Sequence, residues 1–181
     1  GFRFTHRDKK QVFQARANGF VFSRLRPYDR WESFRDEARK LWNIYCNLHD
    51  FQSFTRVALR YINRIDMPEA EIELTDYFRI GPRLPEKFPY KGLNGIHMQL
   101  GIEQPDLGCI LFLNVGRIEP PKPNLVSIML DIDLFRMSED GSALWQAGEQ
   151  EHVWEYLEKL HTRKNEIFEA CITDKTRELF R

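Results

Sequence analysis

Long apolar runs are missing from this 181-residue chain. None approaches the roughly 20 residues a membrane-crossing helix needs, so a helical membrane span is excluded. Cysteine is scarce. Cys46, Cys109 and Cys171 are odd in number, far apart and form no CxxC pair. That usage argues against a disulfide scaffold or a zinc ribbon and fits a reducing, cytoplasmic compartment. Net charge is absent, because 27 Lys and Arg balance 27 Asp and Glu. The overall basicity of a nucleic-acid binder is therefore lacking, and no known RNA or DNA module pattern occurs. GxSxG, HExxH, GxxxxGKS/T and GxGxxG are all absent, so the common signatures of hydrolases, zinc proteases, P-loops and dinucleotide folds are missing. An enzymatic function is disfavoured by this, and no cofactor is expected.

What is present describes a globular protein. The chain is 42% hydrophobic and 30% charged, which sets aside the disordered classes. Its length suits one domain, and a single domain over residues 1–181 is expected. The neutral total hides an asymmetry. Residues 1–64 hold 14 Lys and Arg against 6 Asp and Glu, and the remainder holds 13 against 21. Two halves that neutralise each other would produce this, as would a basic face that meets an anion.

The strongest pattern lies in Thr55 to Met67, TRVALRYINRIDM. Val57, Leu59, Tyr61, Asn63 and Ile65 alternate with Arg56, Ala58, Arg60, Ile62, Arg64 and Asp66. Period 2 over a dozen residues means an extended strand with two unlike faces. Arg56, Arg60 and Arg64 recur every fourth residue, roughly 13 Å apart, as a positive stripe. Met67-Pro68 ends the run, since proline removes a ladder donor. This segment is expected to be the central strand.

Three short extended runs precede it, Phe2 to Thr5, Gln11 to Arg16 and Gly19 to Leu25. Asn18-Gly19 is a hairpin signal through its tolerance of positive φ. Pro27 to Leu48 is expected to be a helix with Asp29 as N-cap and an aromatic stripe of Trp31, Phe34, Trp42 and Tyr45. Residues 68–91 are an irregular, proline-rich connection with a short helical turn at Asp76-Tyr77-Phe78, expected either to serve a function, as long loops often do, or to wrap the sheet edge and bury Tyr77, Phe78 and Phe88. Strands follow at Ile96 to Ile102, at Cys109 to Val115 and at Val126 to Asp133. The second of these is so continuously apolar that burial on both faces is expected. Glu149 to Cys171 is a second long helix, and Thr173 caps a final short one. The expected fold is α+β: a meandering, mostly antiparallel sheet of about six or seven strands covered by two long helices.

The segments RVALRYINRID, DYF, LDIDLF and LHTRKNEIFEACITDKTRELF resemble an uncharacterised bacterial protein family, sporadically distributed and known by a serial family number. The upstream FVFSRLRPYDRWESFRDEARKLW is similar to it too. The resemblance implies an α+β fold with a meandering antiparallel sheet and implies no activity, cofactor or catalytic residue. It also implies that this chain is the larger C-terminal part of a longer protein. The sporadic distribution suggests a defence or stress setting.

The candidate site residues are Arg56, Arg60 and Arg64, whose planar guanidinium forks suit phosphate and carboxylate. Arg16, Arg24, Arg26 and Arg30 add to the basic side. Asp131 and Asp133 form a DxD on one strand face. With His97 or Glu139 they could hold Mg²⁺ or Mn²⁺. The blander alternative pairs these aspartates with the arginine stripe across the sheet. His161 lacks a nearby second ligand, and Cys171 sits on an apolar helix face as an inert core thiol. Three functions follow. The leading one is a non-enzymatic binding or assembly module that engages a protein partner or itself through the second sheet face or the proline-rich loop. The second is a domain binding a small anion or nucleotide through the arginines. The third is a metal-dependent phosphoryl-transfer enzyme built on Asp131 and Asp133.

Overall fold

A computed structural model describes residues 1–68, 73–89 and 95–180. The chain divides into two compact units, Gly1–Gln52 and Ser53–Arg181.

The first unit is a three-stranded antiparallel meander with one helix. Strands β1 (Phe2–Thr5), β2 (Gln11–Arg16) and β3 (Gly19–Arg24) pair in sequence order, and helix α1 (Trp31–Leu48) follows. The two-residue connection at Ala17-Asn18 forms as expected, with Arg16 opposite Gly19. It does so without a left-handed residue, since the positive φ values among the described residues fall at Lys9, Gly108, Asn124 and Gly141. Aromatic rings join sheet to helix: Phe20 meets Trp42 edge-on at 5.4 Å and Phe22 stacks on Phe34 at 5.1 Å. The Tyr45 hydroxyl donates to the Arg16 carbonyl at 2.9 Å. Trp31, Ala38, Trp42 and Tyr45 are buried at helical spacing, so the aromatic stripe is core. The helix starts at Trp31 rather than Pro27, and Asp29 does not cap it. Arg30 is the extended N-cap residue, and the Ser33 hydroxyl donates back to the Arg30 carbonyl. Tyr28 packs on Phe34, holding the preceding segment against the helix side.

The second unit is built on a four-stranded antiparallel sheet. Its strands are β5 (Arg56–Pro68), β6 (His97–Gln104), β7 (Cys109–Ile118) and β8 (Leu125–Met137), in spatial order β5-β8-β7-β6. Two short strands, β4 (Ser53–Phe54) and β9 (Trp145–Gln146), pair separately. Between β5 and β6 lies α2 (Leu74–Tyr77), and a 3-10 turn at Ala147–Glu149 leads into α3 (Gln150–Cys171) and then α4 (Asp174–Glu178). Helix α3 packs on β5 and β8. Beneath it, Leu111, Leu113, Val115, Ile128, Leu130, Ile132 and Leu134 are at most 2% exposed. Val153, Tyr156 and Leu160 supply the helix side of this core. Thr173 caps α4 by accepting from the Thr176 amide, and Thr176 is itself buried. Phe78 forms a bridge with Ile172, which ties α2 to the end of α3.

Five expectations need correction. The strands do not form one sheet of about six or seven. They form sheets of three, two and four strands among the described residues, because β1–β3 bond to one another and spend their aromatic rings on α1. The two long helices accordingly do not share a sheet: α1 packs with β3, α3 with β5 and β8. Strand β5 lies at the edge of its sheet and β8 is central. The arginines of β5 need water, whereas Ile128, Leu130, Ile132 and Leu134 on the helix side of β8 are buried. Finally, β7 is buried on one face only. Cys109, Leu111, Leu113 and Val115 are covered, while Ile110 and Phe112 are 41% and 38% exposed. Phe88 is likewise exposed, although Tyr77 and Phe78 are buried as expected. Part of the connection over 68–91 lies outside the described residues.

Candidate functional site

The face of the four-stranded sheet away from α3 gathers every candidate residue of the second unit that lies on β5 or β8. Strand alternation and register place them. On β5 the row runs Arg56, Ala58, Arg60, Ile62, Arg64 and Asp66. Opposite stand Met137, Phe135, Asp133, Asp131, Met129 and Ser127 of β8. Ile110, Phe112, Asn114 and Gly116 of β7 continue the rows.

The three arginines have three different environments. Arg60 stands directly opposite Asp133 yet bonds diagonally to Asp131. Its Nε donates to Asp131 Oδ1 at 2.9 Å and its Nη2 to Oδ2 at 2.7 Å. Asn114 of β7 donates to the same Oδ2 at 3.1 Å. Asp131 is 1% exposed, whereas the Arg60 side chain is 54% exposed. The charged hydrogen bond to Asp131 raises the Arg60 pKa and keeps the guanidinium charged. Arg64 bonds within its own strand, Nε to Asp66 Oδ1 at 2.7 Å, and also donates to the Glu119 carbonyl and the Ser127 hydroxyl. The Ser127 hydroxyl donates in turn to Asp66. Arg56 lies with its guanidinium carbon 5.1 Å from the centre of the Phe135 ring, a cation–π contact.

The DxD aspartates are not equivalent. Asp131 accepts on both oxygens, from Arg60 and Asn114. Asp133 accepts no side-chain hydrogen bond among the described residues, and burial pushes its carboxyl pKa up against the pull of Arg56 and Arg60. The suggested partners are not gathered around the pair. His97 lies on β6, with β7 between it and β8, and Glu139 lies in the bend after β8. Among the described residues no group of three or more His, Cys, Asp or Glu could hold a metal ion. Of the remaining arginines, Arg24 donates to Ser33 and Arg16 to Gln14, all within the first unit. The first unit also has a concavity of about 440 Å³ lined by Gly1, Phe2, Arg3, Gln14, Arg16 and Asn18.

Reasoning from sequence missed one feature of this face. Ile110 and Phe112 are exposed together on the open face, which also exposes Ile62 of β5 at 62% and Met137 of β8 at 56%. The even positions of β7 carried that signal, but an apolar run does not say whether one cover or two exists. Lys164, which the helical spacing sets on the apolar face of α3, lies on the covered side. Its amine lies 4.0 Å from the centre of the Tyr61 ring and donates to Asn165. Burial lowers its pKa to about 8. His161 packs near the same ring, and burial raises the Cys171 thiol, as an inert core cysteine requires.

No helix among the described residues is long and apolar enough to cross a membrane. Set against known protein families, curated proteins and solved structures, the chain matches none of them.

Proposed function

We propose that this chain is a non-enzymatic binding and assembly module whose contact surface is the open face of the four-stranded sheet. One observation carries this reading. The ionic groups of that face largely satisfy one another, through Arg60 with Asp131, Arg64 with Asp66, and Arg56 over Phe135, while Ile62, Ile110, Phe112 and Met137 stay exposed. Internally satisfied charges beside exposed apolar side chains resemble a protein contact patch with its polar rim. A protein partner, including a second copy, is the occupant this chemistry suits. The setting attached to this reading, a bacterial cytoplasm under defence or stress, rests on the family resemblance and on the cysteine usage.

A second reading is an anion-binding domain using Arg56, Arg60 and Arg64. The exposed edge of the Arg60 guanidinium favours it. Metal-dependent phosphoryl transfer draws no comparable support, because Asp131 already spends both oxygens on Arg60.

Native mass spectrometry of the protein purified from its host at low salt separates the two. Under the leading reading a protein is bound through the open face, and Ile62→Glu with Phe112→Glu removes that bound protein while Arg60→Ala weakens its binding less. A co-purified nucleotide or small anion lost with Arg60→Ala establishes the second reading and overturns the first.

A further inference from the structure

The two edges of the four-stranded sheet differ. Strand β5 carries arginines at positions 56, 60 and 64 along its length and ends in Pro68. Such residues discourage pairing with another strand. Centred on Ile62, a two-fold pairing of β5 with its copy would set Arg60 against Arg64. Strand β6, His-Met-Gln-Leu-Gly-Ile-Glu-Gln, contains no Lys, Arg or Pro. It forms an unbroken ladder with β7 over His97–Gln104, so no bulge twists it away. On the α3 side, Leu100 and Ile102 remain 36% and 39% exposed at this border.

The hydrogen-bond phase of β6 follows from one contact. The Arg117 amide donates to the Ile96 carbonyl, and residues 96 and 117 are register partners. Hydrogen-bonded and non-hydrogen-bonded pairs alternate in an antiparallel ladder. Residues 98, 100, 102 and 104 therefore direct their backbone groups to β7. His97, Gln99, Gly101 and Glu103 direct theirs outward.

We propose that β6 pairs antiparallel with β6 of a second copy of this chain, about a two-fold axis at Leu100. This register sets His97 against the partner's Glu103 and Gln99 against the partner's Gly101 as hydrogen-bonded pairs. Met98 then faces the partner's Ile102, and Leu100 faces the partner's Leu100, as non-hydrogen-bonded pairs. All four outward-directed residues find backbone partners. The imidazole meets a carboxylate across the strands, a favourable cross-strand combination. The half-exposed apolar residues on the α3 side meet apolar residues. Shifting the register by two residues, onto an axis at Gly101, leaves His97 without an opposite residue in β6 and sets Gln99 against the partner's Glu103. Hydrogen-bonding and apolar complementarity thus select the Leu100 axis. The result is one continuous sheet across both copies, with the two open faces side by side. The pairing uses backbone edges and does not depend on what the open face binds.

Sedimentation of the 181-residue chain tests this. A dimer at micromolar concentration is expected. Gln99→Pro removes an outward donor without touching the β7 ladder, and His97→Glu places carboxylate against carboxylate. Each is expected to weaken the dimer at least tenfold, and adding Glu103→Lys to His97→Glu restores it. The Cα atoms of a non-hydrogen-bonded pair lie about 4.5 Å apart, within disulfide range. Leu100→Cys is therefore expected to cross-link the dimer under mild oxidation, while the unsubstituted chain does not. Unchanged circular dichroism of each variant establishes that it folds. A monomer at about 100 µM, or a dimer indifferent to Gln99→Pro and to His97→Glu, overturns the proposal. Failure of the open-face reading looks different, because Ile62→Glu with Phe112→Glu leaves this cross-link intact.

Discussion

At the scale of single residues, Asp131 and Asp133 show how two aspartates of one motif take opposite roles. Asp131 lies between Ile62 and Asn114 in the middle of the sheet and holds Arg60 bidentately. Breaking a buried ion pair costs about 3–5 kcal/mol, but the exposed side of Arg60 can rehydrate, so Asp131→Ala is expected to cost about 1–3 kcal/mol in urea denaturation. Asp133 behaves in the opposite sense. Its folded pKa is raised, so the folded state holds the proton more tightly and stability falls as pH climbs from 3.8 through the raised value. Asp133→Asn removes that decline and is neutral or stabilising at pH 7. A larger loss from Asp133→Asn than from Asp131→Ala would refute the assignment. Lys164 titrates on the alkaline side. Its pKa falls from 10.5 to about 8 on folding, so the unfolded chain binds more protons between these values and stability rises with pH across them. The Tyr61 ring favours the charged amine and tempers the effect. Lys164→Met is expected to flatten the rise and to stabilise the protein at pH 7, as thermal melts from pH 7 to 10.5 would show.

At the scale of elements, the one-sided cover of β7 makes neighbouring residues unequal. Leu111 is 2% exposed beneath α3, whereas Ile110 faces outward at 41%. Truncating a buried leucine to alanine costs about 2–5 kcal/mol, so Leu111→Ala is strongly destabilising. Ile110→Ser stays within about 0.5 kcal/mol, as surface changes do. Equal losses would mean that a second cover exists. At the chain's end the Thr173 hydroxyl accepts from the Thr176 amide and also donates to the Asp76 carbonyl, joining α4 to α2. Thr173→Ala is expected to cost about 1 kcal/mol or slightly more, the usual loss of a cap plus one bond. That cap was legible beforehand, because a threonine before an acidic first turn has a local cause. The Asp29 cap was misread for a related reason. Its pattern was equally good, but the packing of Tyr28 and Trp31 on Phe34 set where α1 begins.

At the scale of the whole molecule, charge follows the division into units. Residues 1–52 hold 11 Lys and Arg against 6 Asp and Glu, and the remainder holds 16 against 21. Protection should follow topology. The amides of β8 lie between two strands and under α3 and are expected to exchange slowest. The outward amides of His97, Gln99, Gly101 and Glu103 are expected to exchange fast in dilute protein and slowly in the dimer. Hydrogen-exchange mass spectrometry at two concentrations checks both. Concentration-independent exchange over β6 would count against the pairing.

The sequence by itself determined the longer strands and most of the two long helices, the faces of β5 and β8, and the final cap. Each rests on periodicity or on a contact a few residues away, and local physics decides such features. Only the tertiary structure decided which strand is central, that the meander closes into its own sheet, and that α3 covers one face alone. It also decided that Arg60 takes Asp131 diagonally rather than Asp133 directly opposite. Those outcomes depend on which segments meet in space, some of them far apart in the chain, such as Arg60 with Asp131 at a separation of 71. A strand's alternation states that it has two faces, and only its neighbours state what each face meets.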